Sequence, residues 1–158
     1  MSEEVKKTRR PSLRFNESKI KLILDVMDNM EKPLELMYYF LEKDPRKIFV
    51  MMLISANDVN VEEVLIKEKR DTDILFGIEE DRNLFALVCQ ETKVDGGYRF
   101  AERILRTLKQ QEAKDIYCVE IEVRNTRYSG KDVIIKSVEK YIMAENEKRE
   151  GEIHFHSL

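Results

Sequence analysis

Glycine and proline are scarce in this chain, five and three among 158 residues. An all-β sandwich, with a tight turn every few residues, needs more of both, so that class is disfavoured. Two cysteines are too few for a disulfide scaffold. Cys89 in LFALVC and Cys118 in IYCVEI both lie in apolar runs, where cysteine acts as a small hydrophobe. Neither has a histidine nearby in sequence to activate it as a nucleophile. The two histidines, His154 and His156, alternate on an expected terminal strand. They share a face there, but an exposed strand end is the expectation, and no metal site is assigned. No apolar run reaches the roughly 18 residues of a membrane-spanning helix. The opening MSEEVKKTRR has no apolar segment of the signal-peptide kind, so a cytoplasmic location is expected. Charge of one sign is lacking too: 28 basic against 31 acidic residues leave a net −3. Binding nucleic acid by bulk charge needs a strongly basic face, so nucleic acid is not an expected partner.

Apolar residues make up 42%, enough for one sizeable core. Residues 1–16 are polar and basic and read as a flexible arm, and the RRPS within it is too short a match to a kinase site to carry weight. Residues 17–45 read as a helical segment. Ile20, Ile23, Leu24, Met27 and Met30 fall at three- and four-residue steps, and Pro33 is expected to end this helix or kink it. If the helix extends past the sheet, its methionines and Tyr38–Phe40 form an adaptable partner surface. Residues 46–158 read as the main domain. KIFVMMLIS is a central strand covered on both faces, and VEEVLIKEK a short helix. Asp73–Ile78 and Leu84–Cys89 form a hairpin with a charged tip. A helix over 94–112 follows, opened by Gly96-Gly97, then a strand over 115–124, a helix over 131–148 and a strand over 152–156. Strands alternating with amphipathic helices imply an α/β (α+β) layered fold with about five strands.

The stretch RDTDILFGIEEDRNLFALVCQETKVDGGYRFAERI resembles the centre of a GGDEF domain, the bacterial diguanylate cyclase module. In that family an R-x-x-D runs into a strand, and a Gly-Gly-Asp-Glu-Phe hairpin tip follows. An apolar strand, a threonine and a helix carrying Ala-Glu-Arg-Ile come next. Here the pieces are Arg70–Asp73, the tip Glu79–Phe85, Ala86–Cys89, Thr92 and Ala101–Ile104. SVEKYIMAENEKREGEIHF is similar to the family's closing helix and strand, and FVMMLISAND to its first strand. The resemblance spans roughly residues 46–156 and implies the palm-like central sheet of nucleotidyl cyclases.

The departures from the family carry the functional reading. Adjacent glycines let the backbone approach a triphosphate. Here the tip reads Glu79, Glu80, Asp81, Arg82, Asn83, Leu84, two residues longer and without glycine. The family's metal ligands at the end of the first strand fall on Ser55 and Asn57, which are poor ligands for Mg²⁺. Only the 12 residues 58–69 separate Asn57 from Arg70, shorter than the helix that holds guanine in the family. The resemblance therefore implies a degenerate domain that is not an enzyme and needs no cofactor. What persists is Arg70-x-x-Asp73, at the spacing of the family's inhibitory site for cyclic di-GMP. A guanidinium grips a guanine edge or phosphate bidentately, and a carboxylate accepts from guanine N–H groups. The expected role is a regulatory or interaction module in bacterial signalling, with a protein partner or a second copy, and cyclic di-GMP as the candidate ligand. The alternative is a scaffold with no nucleotide ligand.

Overall fold

The computed structural model describes residues 16–79 and 82–158. The expected arm, Asn16 apart, and Glu80 and Asp81 of the tip lie outside the described residues. The elements are α1 (Glu17–Lys43), β1 (Phe49–Asn57), α2 (Val61–Glu68), β2 (Asp73–Glu79), β3 (Leu84–Cys89), α3 (Val94–Gln110), β4 (Lys114–Val123), α4 (Gly130–Asn146) and β5 (Ile153–Ser157). They build one five-stranded sheet in the order β2-β3-β1-β4-β5. β1 is antiparallel to both β3 and β4, β2 is antiparallel to β3, and β5 runs parallel to β4.

β1 sits at the centre, buried from Phe49 to Ala56. Successive side chains of a strand point to opposite faces, so its apolar run feeds two cores. Phe49, Met51 and Leu53 join Val119 and Ile121 of β4 under α1 and α4. Val50, Met52 and Ile54 join Leu87, Cys89 and Cys118 under α2 and α3. The mixed layered fold expected from the sequence is the observed one.

α1 continues past Pro33, one of the two outcomes expected there, and departs from expectation in its stripe. It runs unbroken through Pro33, from an Asn16 cap that accepts from the Lys19 amide at 2.9 Å. An interior proline costs about 3 kcal/mol, and the apolar stripe on both sides of it offsets that cost. The stripe is rotated: Leu22, Ile23, Val26, Met30, Leu34, Met37 and Leu41 are buried, whereas Ile20 and Leu24 are exposed. The line Ile20–Leu24–Met27 runs on into Glu31 and Glu35, but Ile23–Val26–Met30 continues apolar to Leu41. Residues 17–43 thus share one core with the sheet.

The scarcity of glycine shows in the backbone. Asp58, Asn83, Glu91, Glu112, Asp115 and Lys148 all adopt φ between 46° and 64°, a left-handed conformation that glycine takes most cheaply. Glu112 and Lys148 close α3 and α4. The Ala113 amide reaches back to the Leu108 carbonyl and the Arg149 amide to that of Ala144, both at 3.0 Å, as in Schellman caps.

Candidate functional site

Arg70 stands in the turn between α2 and β2, Asp73 on the first residue of β2, and Thr92 just before α3. Asp73 is 2% exposed, so its carboxylate needs partners from the chain itself. It finds them in Arg70. Oδ1 accepts from Nη2 at 2.7 Å and from Nε at 3.0 Å, and Oδ2 accepts from the Arg70 amide at 2.8 Å. Nη2 also donates to the Thr92 hydroxyl at 2.7 Å and the Gln90 carbonyl at 2.9 Å. These bonds fix one half of the guanidinium, while the Arg70 side chain stays half exposed. Hydrogen bonding to the Asp73 carboxylate pushes the guanidinium further above its usual pKa, so it is a permanent cation.

The pair borders a pocket of about 280 Å³, lined also by Cys89, Glu91, Thr92, Lys93, Gly96, Arg99, Phe100 and Arg103. Arg103 lies over the Phe100 ring at 5.4 Å and pairs with Glu68 of α2 at 3.7 Å. Four cations and one aromatic ring against the two carboxylates Asp73 and Glu91 suit an anion that carries a planar group. Cys89 contributes no reactive thiol, because burial pushes its pKa well up. Arg70 donates to both oxygens of Asp73, so Asp73 holds the guanidinium in place. Sequence reasoning had paired these two residues but missed Lys93, Arg99 and Arg103. Their signal was the i, i+4 spacing of the two arginines on the outer face of α3.

The opposite end of the sheet gathers the other expected positions. Ser55 is buried, and its hydroxyl pairs with that of Tyr141 on α4 at 2.7 Å. Burial pushes the Tyr141 phenol up to about 12. Asn57 is exposed and donates to Asp115 at 2.9 Å. At the hairpin tip Arg82 pairs with Glu79 at 3.3 Å and with Glu145 of α4 at 3.1 Å. Asn83 donates to the carbonyls of Ala56 and Val59 at 3.0 and 2.9 Å. The tip is thus tied to both α4 and the loop after β1. Among the described residues no three His, Cys, Asp or Glu side chains converge as a metal group needs. His154 and His156 are half-buried on β5. His154 bonds the Arg149 carbonyl at 3.2 Å, and burial together with Lys140 and Lys136 lowers the His156 pKa.

No family sequence model matches the chain, and neither does any curated protein. Solved structures do. The GGDEF domain of FimX from Pseudomonas aeruginosa superposes with a TM-score of 0.51 at 9% identity, over 79% of this chain and 90% of that one. The fold is that of GGDEF domains. Diguanylate cyclase SiaD from Pseudomonas aeruginosa, solved in complex with its activator SiaC, matches with a TM-score of 0.52 at 11% identity. That match covers 77% of this chain and 57% of SiaD, so the chain spans little more than half of that protein. Within the GGDEF fold, the Arg70 pocket sits at the start of the hairpin and Arg82 at its tip. Among the described residues no helix is long and apolar enough to cross a membrane.

Proposed function

We propose that this chain is a non-catalytic signalling module on the GGDEF fold whose Arg70 pocket binds cyclic di-GMP. The observation that carries the reading is the fixed Arg70 guanidinium, held by buried Asp73 and by Thr92, beside Lys93, Arg99, Arg103 and Phe100. Cations of this geometry grip phosphate oxygens and guanine edges, and Phe100 with Arg103 offers a surface for a flat base. The pocket is at the small end for ligand sites, with room for one base and a phosphate while the rest of a dinucleotide lies outside.

Absence of catalysis is supported by the other end of the hairpin. Ser55 is paired with Tyr141, Asn57 with Asp115, and Arg82 and Asn83 tie the tip down. A triphosphate would have to displace those bonds, with no carboxylate at position 55 or 57 to hold its metal. Incubation with GTP and Mg²⁺ or Mn²⁺ gives no turnover on this reading. A melting-temperature screen of cyclic and linear nucleotides singles out cyclic di-GMP, because a ligand of the folded state raises the melting temperature. Turnover of GTP, or a screen with no response to cyclic di-GMP, overturns the corresponding half.

A second reading is an interaction module with no nucleotide ligand. It draws on the exposed Leu36, Tyr39 and Phe40 near the end of α1, an apolar surface of the kind partners cover. SiaD, of the same fold, is solved with its activator. Light scattering and pull-downs test it: a monomer that recovers no partner contradicts it.

A further inference from the structure

Glu120 of β4 is fully buried, and neither of its carboxylate oxygens has a hydrogen-bond partner. It faces the α3 side of the sheet between Met52 of β1 and Phe155 of β5. Above it lies the first turn of α3, so close that a Cβ on Gly97 would stand 3.3 Å from Oε2 and 3.2 Å from Val50. That turn is weakly built. Its cap residue, Lys93, makes no side-chain cap bond, and Gly96 and Gly97 are both poor helix formers. The carboxyl and the soft helix start are therefore in direct contact.

The surroundings supply no compensating charge. On β4 the neighbours on the same face are Cys118 and Glu122, and Glu122 is bonded by Ser157 at 2.7 Å and Arg124 at 3.4 Å. Cys89 of β3 and Cys118 have thiols whose pKa rises in part because of Glu120. β1 and β5 present Val50, Met52, Ile153, Phe155 and Ser157 on this side, none of them charged. The charged residues of α3's first turns, Asp95, Arg99 and Glu102, are exposed. Only burial acts on the Glu120 carboxyl, and it pushes the pKa up to about 9.

We propose that the proton on Glu120 is a latch that seats the first turn of α3 on the sheet, and that losing it lifts that turn. An unpaired carboxylate in a dry site is expensive, and the cheapest route to water is to move the weakest element that covers it. That element is the uncapped Gly96-Gly97 turn. Lys93, Gly96, Arg99 and Phe100 line the Arg70 pocket from the same turns, so lifting it opens one wall of that pocket. Only this last link, to ligand binding, rests on the function proposed above.

Amide hydrogen exchange tests the latch without any ligand. Once rates are corrected for intrinsic base catalysis, the amides of Gly97 to Ala101 open about tenfold more per pH unit between pH 6.5 and 8.5, because opening there releases one proton. The amides of Val133 to Tyr141 in α4 open only with global unfolding, which releases the same proton, so they carry that slope at a larger opening free energy and Gly97 to Ala101 open more at every pH. In Glu120→Gln the slope at Gly97 to Ala101 vanishes. A flat wild-type profile, opening at Gly97 to Ala101 no greater than in α4, or a slope that survives in Glu120→Gln overturns the proposal. Should Glu120→Gln fail to fold, the contrast between α3 and α4 in the wild type still decides it. Failure of cyclic di-GMP to bind leaves this readout intact, so the two ideas fail separately.

Discussion

Arg82 at the hairpin tip and Glu145 near the end of α4 stand 63 residues apart in sequence and 3.1 Å apart in space. Beside Arg82, Asn83 spans to Ala56 and Val59, so the hairpin is anchored at its tip as well as along its strands. Both partners of the Arg82 pair are about one-third exposed, and Arg82→Ala costs at most about 1 kcal/mol. Asn83→Gly keeps the left-handed backbone at no steric cost but loses two hydrogen bonds, and costs about 1–2 kcal/mol. Chemical denaturation of the two variants checks the order.

Glu112 and Lys148 give the opposite sign. Each adopts a left-handed cap with no side-chain hydrogen bond that depends on it, so Glu112→Gly and Lys148→Gly each stabilise by about 0.5–1 kcal/mol. Asn83→Gly and Glu112→Gly introduce the same residue at similar φ. Opposite shifts in melting temperature separate backbone strain from side-chain bonding.

Ser55 and Tyr141 share one buried hydroxyl pair. Tyr141→Phe and Ser55→Ala each cost about 1–2 kcal/mol, and the double variant costs less than their sum because the interaction is lost only once. Ser55→Asp, which puts a carboxylate where the resemblance to GGDEF domains expects one, destabilises more than Ser55→Ala and confers no turnover of GTP on the proposed reading. A double-mutant cycle by denaturant titration and an activity assay measure the two halves.

Glu120 sets a pH dependence whose sign is unusual for a carboxyl. Its folded pKa, about 9, lies above the unfolded 4.5. Its contribution is therefore complete below about pH 4.5 and is lost as pH rises towards 9, by up to about 1.4 kcal/mol per unit. Glu120→Gln removes that slope and is more stable than wild type at pH 8. Thermal melts across pH 5–9 read both effects.

Much of the fold was legible because its signals are local. β1 announces itself as an unbroken apolar run, and the hairpin as two such runs around a charged tip. What stayed open or went astray did so where tertiary packing decides. Pro33 leaves both a helix end and a kinked continuation open, and the buried stripe through Leu34, Met37 and Leu41 decides for continuation. Ile20 and Leu24 match helical spacing as well as Val26 does, and only the sheet selects which line is buried. At the site, Arg70 and Asp73 were visible as a motif, but the burial that turns Asp73 into Arg70's anchor was not. Arg99 and Arg103 join the pocket only through the packing of α3. Glu120 was invisible because a glutamate alternating in a strand reads as solvent-facing until a helix covers it.

The account turns on the Arg70 pocket, and calorimetric titration of cyclic di-GMP tests it most directly. The predicted result is saturable heat with wild type, with affinity at least tenfold weaker in Arg70→Ala and also weaker in Arg103→Ala, whose side chain is exposed and leaves the fold intact. No heat at high micromolar ligand, or an affinity unchanged in both variants, contradicts it.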